Sequence, residues 1–362
     1  MKACIRGATL ALTAVSTAVA LSACGSSPGN DPDGTGTPKI ALLLPDATTA
    51  RWESEDRPRM EKKIMQLCRD CTIENANAKG DVAIQKEQMD SMITKGVDAI
   101  VLVAVDARSL GPSVTKAAEA DIPVIAYDRL SQGPISGYVS FDGEEVGRLQ
   151  GRALLKAMHG SGPSPQIVMM NGDPSDPNAV SFRKGALSVL SGRVRIGKAY
   201  DTLQWRPENA NVNMSGAIAA LGAGSIQGVY AANDGLAGGS ISALKSNKVE
   251  PLPPVTGQDA ELAAVRRIVA GDQYMTVYKP FGPEASSGGA MAVAAARRTG
   301  LDEVGKDKVR TSGGKSVPAV LLTPVPVTAS TIKDTLVKDG FYTVQQICVA
   351  PLEADCTRLG LT

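Results

Sequence analysis

Residues 99–127, AIVLVAVDARSLGPSVTKAAEADIPVIAY, decide the predicted fold of this chain. The stretch opens with an unbroken apolar run, Ala99 to Val105, which predicts a strand buried on both faces. A helical segment, Val114 to Ala120, leads into a second apolar run, Ile122 to Tyr127. A strand, a helix and a strand in this order favour a right-handed crossover within a parallel sheet.

The same alternation continues on both sides of this stretch. Upstream, strands are predicted at 39–44 and 72–76, with helices at 58–67 and around 89–93. Downstream, a second series has predicted strands at 166–170, 195–200, 228–232 and 254–257, and predicted helices at 178–190, 209–221, 236–246 and 261–270. Later extended segments are expected at 275–279, 320–323 and 341–349. Two similar series predict an α/β protein with two similar parallel-sheet lobes.

The first 23 residues have the features of a secretory signal, in which Lys2 and Arg6 precede a short apolar run. The run is too short and interrupted to span a membrane, which takes about 20 apolar residues. It ends in Leu21-Ser22-Ala23-Cys24, which resembles a bacterial lipoprotein box with Cys24 as the lipidated new N-terminus. The alternative is an ordinary cleaved signal that leaves Cys24 as a free thiol. Residues 24–38, rich in Gly, Ser, Pro and Asp, predict a flexible linker.

The charge balance argues against broad electrostatic partners. After residue 23 the chain carries 36 Lys and Arg against 37 Asp and Glu, a net charge of −1. Such a chain has no general attraction to nucleic acid or to an anionic membrane surface. Attachment to a membrane would therefore depend on the lipid at Cys24.

Four cysteines remain beyond the signal and the lipoprotein box: Cys68, Cys71, Cys348 and Cys356. An even number in an exported chain favours disulfides, and four cysteines allow three connectivities. We favour local pairing, Cys68 with Cys71 and Cys348 with Cys356. A zinc site would need a second ligand pair, and His159 is the only histidine, so we predict no metal and no cofactor.

Charged, amide and indole side chains follow the predicted strands. Open parallel sheets bind ligands outside the carboxyl ends of their strands. Sugars suit such a mixture, because neighbouring hydroxyls bridge planar polar groups and the ring packs on indole. The candidate binding residues are Arg51, Trp52, Asp128, Arg129, Asn178, Trp205, Asn233, Asp259 and Lys279.

Each of these residues also has a purely structural alternative. Asp or Asn after a strand often caps the next helix, which applies to Asp128, Asn178, Asn233 and Asp259. Arg51 alone would be a solvated surface charge, and the two tryptophans alone would be packing residues. The nine taken together favour a binding site.

Several ordered strings closely resemble the xylose-binding proteins of bacterial ABC transporters. They are Arg51-Trp52, 126–129 (AYDR), 139–142 (VSFD), 232–234 (AND), 257–260 (GQDA), 275–280 (MTVYKP) and 321–324 (LLTP). The likeness runs from about Lys39 to Tyr342. The resemblance implies a type I periplasmic-binding-protein fold, with two α/β lobes, three crossover strands and a sugar in the cleft between the lobes.

The resemblance also implies a division of the chain and a role for each candidate residue. Residues 39–140 and 280–322 would form the N-terminal lobe, and residues 141–279 and 323–362 the C-terminal lobe. Arg51, Asp128 and Arg129 would bind sugar hydroxyls from the first lobe, Asn178, Asn233 and Asp259 from the second, and Lys279 from the hinge side. Trp52 and Trp205 would stack on the ring. Hinges are expected near 139–142, 278–280 and 322–324.

Two departures from the family pattern affect these expectations. Pro177 replaces an Asn and stiffens the loop that presents Asn178. Gly143 replaces an Asn after Phe-Asp, which removes a possible hinge contact.

Three other functions are less well supported by the sequence. A secreted glycosidase needs two carboxylates at a defined separation, but here Arg, Lys and Asn would hold the carboxylates ionised. A sugar-sensing lobe for a membrane receptor is poorly distinguished by sequence. A sugar-responsive repressor begins with a DNA-binding helix-turn-helix, whereas this chain begins with a signal. The sequence therefore predicts a monomeric, lipid-anchored, extracytoplasmic protein, not an enzyme, that captures an aldose, xylose first, for an ABC permease and its ATPase.

Overall fold

The computed structural model describes residues 36–362. The predicted signal, Cys24 and most of the linker lie outside the described residues. The strands are β1 (Lys39–Leu44), β2 (Thr72–Asn77), β3 (Ala99–Leu102), β4 (Val124–Tyr127), β5 (Gly137–Phe141), β6 (Gln166–Asn171), β7 (Arg195–Asp201), β8 (Gly228–Ala231), β9 (Met275–Tyr278), β10 (Asp307–Arg310), β11 (Ser316–Leu322) and β12 (Val325–Thr328).

Helices alternate with the strands over most of the chain. They are α1 (Arg57–Leu67), α2 (Val82–Thr94), α3 (Gly111–Glu119), α4 (Gly143–Ala157), α5 (Pro177–Leu190), α6 (Pro207–Leu221), α7 (Asp234–Ser246), α8 (Leu262–Ala270), α9 (Phe281–Ala296), α10 (Val344–Ile347) and α11 (Glu353–Arg358). A π-helical turn, Trp52–Asp56, leads directly into α1.

The larger sheet has the strand order β10-β11-β5-β4-β3-β1-β2. Its strands are parallel except for the antiparallel pair β10–β11. Alternate residues of its central strands bury in two separate clusters: Leu42 and Val101 lie on one face, and Leu43 and Ile100 on the other. The unbroken apolar runs thus fill both faces of the sheet.

The smaller parallel sheet has the order β7-β6-β8, and β9 pairs antiparallel with β12 in a separate two-stranded sheet. The prediction of a regular strand at 254–257 is wrong. In the structure, Val255 of this segment forms only an isolated bridge to Val229. Pro253 and Pro254 have no N–H to donate to a ladder, which limits pairing there. The segment still links the sheet to β9, because Tyr274 N–H donates to the Val255 carbonyl at 3.0 Å.

The chain passes three times between the half that contains the larger sheet and the half that contains the smaller one. The crossings lie between β5 and α4, between β9 and α9, and between β11 and β12. After the first crossing α4 packs on α5, and after the second α9 packs on α1 and β3. This connectivity places loops from both halves beside the crossings.

The last segment of the chain corrects one expectation. The apolar residues at 341–349 were predicted to be extended, but Val344–Ile347 is helical and a second short helix, α11, follows. Together with α8 they bury one apolar cluster, which includes Ile347, Cys356 and Leu361. An apolar run this short fits either type of element, so burial against α8 decided its conformation.

The structure joins Cys68 to Cys71 and Cys348 to Cys356, with Cα separations of 5.3 and 5.9 Å. These are the local pairs favoured above. Among the helices of residues 36–362, none is long and apolar enough to cross a membrane. The same residues contain no cluster of His, Cys, Asp and Glu arranged to hold a metal ion.

Candidate functional site

Loops from both halves converge on one cavity. Its lining includes all nine of the predicted binding residues: Arg51, Trp52, Asp128, Arg129, Asn178, Trp205, Asn233, Asp259 and Lys279. It also includes four residues outside that predicted set: Thr49, Asp176, Phe182 and Gln258. Asp176 and Gln258 belong to the loops that follow predicted strands, so the strand-end rule could have found them. Thr49 and Phe182 carry no comparable signal.

Arg51 is a buried side chain rather than a solvated one, with 3% of its surface exposed. The helix predicted from residue 58 extends back through the π-helical turn to this residue. Such turns are frequent at functional sites because the wider turn redirects side chains. Here Arg51 and Trp52 both point into the cavity rather than into solvent.

Two buried carboxyl groups outside the cavity lining accept hydrogen bonds from the Arg51 guanidinium. Its Nε and Nη2 donate to the two oxygens of Asp56 at 2.7 Å each, and Nη2 donates to Glu284 at 2.5 Å. Tyr127 donates its hydroxyl to Asp56 at 2.5 Å, and the ring of Phe281 lies 4.0 Å from the guanidinium carbon. This arrangement fixes the guanidinium and leaves Nη1 for the cavity. None of these four supporting residues belongs to the predicted binding set, since three of them lie far from Arg51 in the chain and only Asp56 lies near it.

Inside the cavity, Arg51 and Lys279 share two aspartates. Arg51 Nη1 donates to Asp128 at 3.0 Å and lies 3.7 Å from Asp259. Lys279 Nζ lies 3.3 Å from Asp128 and 3.0 Å from Asp259. Alternating charges of both signs therefore occupy the centre of the site, each within reach of an opposite charge.

Two further pairs connect the halves across the cavity. Asn178 donates its amide to the Asp128 carboxylate at 2.8 Å and to the Asp128 carbonyl at 3.1 Å. Arg129 Nε lies 2.7 Å from Asp176. Because these side chains contact one another directly, the free space among them is about 20 Å³, roughly the room of one water molecule.

Asn233 caps a helix, which is the structural role that the sequence left open for it beside sugar binding. Its side-chain oxygen accepts from the N–H of Leu236 at 2.9 Å at the start of α7. The amide nitrogen remains available to the cavity that Asn233 lines. Asp128 and Asp259 do not cap the helices that follow them, and Asp176 rather than Asn178 caps α5.

The two indoles lie on different walls of the cavity. The Trp205 ring lies within about 2.0 Å of where a Cβ on Gly172 would be, so only a glycine at that position lets the indole approach the backbone this closely. Trp205 Nε1 donates to Asp176 at 3.1 Å, and its ring meets Phe182 edge-on at 6.5 Å. On the opposite wall the Arg51 guanidinium carbon lies 4.5 Å from the Trp52 ring.

Backbone strain is concentrated around the cavity. Asp128, Trp205 and Asp259 have φ values of +58°, +53° and +96°, a region that non-glycine residues seldom adopt. Such conformations cost about 1–3 kcal/mol each and persist where the surrounding structure enforces them, which is common at binding sites. The strain supports a functional role for these loops.

Burial and charge divide the carboxyl groups into two kinds. Burial raises the pKa of Asp128, but Lys279, Arg51 and Arg129 outweigh it and hold that pKa below its ordinary value. Burial likewise raises the pKa of Glu284, and although Arg51 opposes the shift, the pKa reaches about 8. Asp128 is therefore an ionised acceptor in the cavity. Glu284, which contacts Arg51 outside the cavity lining, carries a proton near neutral pH.

The raised pKa of Glu284 predicts a pH-dependent stability. Its ordinary pKa is 4.5, so between pH 4.5 and about 8 the folded protein holds a proton that the unfolded chain has lost. The stabilisation is fully present below pH 4.5 and is lost as the pH rises through about 8. Asp234 and Glu261, with pKa values of about 7 and 8, act in the same direction. We expect the urea concentration at the unfolding midpoint of the wild type to decrease as the pH is raised from about 6 to 9. In Glu284→Gln this decrease should be smaller. An equally steep decrease in the variant would contradict the raised pKa of Glu284.

Comparisons with known proteins agree with this geometry. The model of the periplasmic binding protein domain matches residues 40–300. The D-xylose-binding periplasmic protein of Escherichia coli K12 is 37% identical, over 84% of this chain and 91% of its own length. A multiple sugar-binding periplasmic protein of Azospirillum brasilense is 33% identical, over 85% of this chain and 91% of its own.

A solved structure extends the likeness to three dimensions. An ABC transporter solute-binding protein of Clostridium phytofermentans with bound β-D-glucose superposes with a TM-score of 0.78 and is 29% identical. The match covers 85% of this chain and 99% of that protein. The predicted fold and the predicted family are thereby confirmed. The chain belongs to the family of type I periplasmic sugar-binding proteins of bacterial ABC transporters.

Proposed function

We propose that the protein captures an aldose, D-xylose first, in the cavity between its halves and delivers it to the permease of an ABC importer. The observation that carries this proposal is the balance of charge in the cavity lining. Three cations, Arg51, Arg129 and Lys279, face three carboxylates, Asp128, Asp176 and Asp259, and all six are paired.

A balanced set of planar donors and acceptors suits a neutral ligand with many hydroxyls. In a buried site, an anionic ligand would be repelled by the three carboxylates, and a cationic ligand would be repelled by Arg51 and Lys279. A sugar hydroxyl donates to one carboxylate and accepts from one cation, so it satisfies both members of a pair. Trp52 and Trp205 add apolar faces for the C–H surface of a ring.

Binding would proceed by separation and closure of two lobes. The direct contact of Asn178 with Asp128 leaves no room for a sugar ring, so the ring would enter when such contacts exchange for contacts to hydroxyls. We assign residues 39–140 and 280–322 to one lobe and residues 141–279 and 323–362 to the other. Rotation about the three crossings would then close the cleft on the sugar.

D-Xylose is chosen because relatives from Escherichia coli and Haemophilus influenzae are D-xylose-binding proteins, at 37% and 34% identity. The Clostridium structure carries glucose, so the hexose is the nearest competitor. The relatives are solute-binding proteins, and we assign no chemical step to the cleft.

A melting-temperature screen against free sugars tests this proposal. A ligand that binds only the folded state stabilises it by about 2.7 kcal/mol at a hundredfold excess over Kd. We therefore expect D-xylose to raise the melting temperature by several degrees and to shift it more than glucose, ribose or arabinose do. The absence of a shift with every monosaccharide would contradict the proposal. A shift with glucose but not with xylose would support the proposed site but show that its ligand is glucose rather than xylose.

We also propose that Cys24 carries a lipid that anchors the protein to the cell membrane outside the cytoplasm. The support is the string Leu21-Ser22-Ala23-Cys24 and the polar linker that follows it. In fractionated cells we expect the wild type in the membrane fraction. We expect Cys24→Ala to be soluble or to retain its signal. A wild type that is wholly soluble and unlipidated would contradict the anchor while leaving sugar binding untouched.

A further inference from the structure

A second cavity borders the candidate site. Arg129 and Trp205 line both cavities, so these two side chains lie between the two spaces. The second offers about 190 Å³ of free space, against about 20 Å³ in the first. Its other polar lining comes from both halves and includes Asp46, Lys79, Asp106, Asp173, Gln204 and Arg206.

Beside both cavities, a donor of Arg129 and an acceptor of Asp46 lie apart without a hydrogen bond between them. Arg129 is fixed by Nη1, which donates to the Ala104 carbonyl at 2.9 Å, and by Nε beside Asp176. Its Nη2 makes no hydrogen bond to the described residues and lies 4.0 Å from an Asp46 oxygen. The other Asp46 oxygen accepts from the N–H groups of Thr48 and Thr49.

A ligand hydroxyl would complete this arrangement. A separation of 4.0 Å is too long for a direct hydrogen bond, but one oxygen between the two groups would accept from Arg129 and donate to Asp46. Arg129 and Asp46 have 5% and 9% of their surface exposed, and neither Arg129 Nη2 nor the free Asp46 oxygen is fully buried, so both can meet a ligand hydroxyl or water.

The rim of the second cavity has the same balance as the first. Its lining holds three cations, Lys79, Arg129 and Arg206, and three aspartates, Asp46, Asp106 and Asp173. Gln204 reaches over the rim, with its side-chain nitrogen 3.4 Å from the Gly80 carbonyl of the other half. A neutral, hydroxylated group therefore matches this space as well.

We infer that the second cavity is a subsite for a second sugar ring, joined by a glycosidic bond to the ring in the first cavity. This inference rests on the proposed function, because the first ring must occupy the candidate site. The two rings would meet beside Trp205 and Arg129, which line both spaces. The protein would then take a disaccharide as well as the free aldose.

Isothermal titration with matched sugars tests the inference. The pairs are xylose with its β-1,4-linked disaccharide xylobiose and, if glucose gives the larger thermal shift, glucose with cellobiose. We expect the wild type to bind both members of the pair. We expect Asp46→Asn to weaken binding of the disaccharide about tenfold, because a hydrogen bond to a charged acceptor is lost, while binding of the monosaccharide changes less than about twofold.

Asp46→Asn keeps the oxygen that supports Thr48 and Thr49, so the loop should stay folded. Lys79→Ala, on the exposed rim, is a second variant with the same expected selectivity, and Asp121→Asn, at the amino end of β4, is the control that alters neither affinity. Binding of the monosaccharide without the disaccharide, or equal loss of both in Asp46→Asn, would overturn the subsite and leave the proposed function intact. Binding of neither sugar by the wild type would instead overturn the proposed function and the subsite with it.

Discussion

Asp259→Ala is expected to remove much of the sugar-dependent rise in melting temperature while the sugar-free protein stays folded. Asp259 lies 3.0 Å from Lys279, and its removal takes a two-oxygen acceptor out of the cavity. Sugar hydroxyls left unpaired in a buried cleft cost about 1–3 kcal/mol, which weakens binding by roughly tenfold to a hundredfold or more. Lys279 keeps Asp128 as a partner at 3.3 Å, so no isolated buried charge remains to unfold the protein.

Titration calorimetry and thermal melting with and without xylose measure this effect. Asp201→Ala is the matched control, because Asp201 also ends a strand but lies outside the cavity with its side chain about half exposed. The control should bind like the wild type. Wild-type affinity in Asp259→Ala would remove this residue from the site.

Arg51→Met is expected to lower the free energy of unfolding by about 3–5 kcal/mol and to eliminate sugar binding. Removing one partner of a buried ion pair leaves an uncompensated charge, which is the costly case. Here the Arg51 guanidinium is shared by Asp56, Asp128 and Glu284, all nearly inaccessible to solvent. The loss should be larger at pH 8 than at pH 6, because the carboxyl groups left behind bind protons more fully at lower pH.

Urea unfolding at both pH values measures the loss. Arg57→Ala is the control, since its pair with Glu53 is exposed and such pairs are worth about 0.2–1 kcal/mol. Adding Glu284→Gln to Arg51→Met should recover part of the stability, more at pH 8 than at pH 6, because a neutral Gln is buried without taking up the proton that Glu284 needs. A loss in Arg51→Met no larger than that in Arg57→Ala would show that the buried network contributes little.

Local patterns predicted most of the strands and helices, but not α4, α9, β5, β10 or β12, and two predicted segments came out differently. The run 39–44 became β1 at the predicted bounds, because an uninterrupted apolar run of that length suits a strand between two layers of helices. The segment 254–257 paired only around Val255, where prolines limit the ladder. Within the segment 341–349, Val344–Ile347 formed a short helix, because contacts with α8 outweighed any extended preference.

The sequence by itself determined the type of fold, the family, and the set of polar residues that follow the strands. Strand ends are local features, and the carboxyl ends of parallel strands share an edge of the sheet. Only the tertiary structure decided which of these residues touch. Glu284 supports Arg51 from 233 positions away, because α9 packs beside α1, and Asn178 reaches Asp128 across the two halves. Neither contact follows from spacing along the chain, since both depend on how separate elements pack in space.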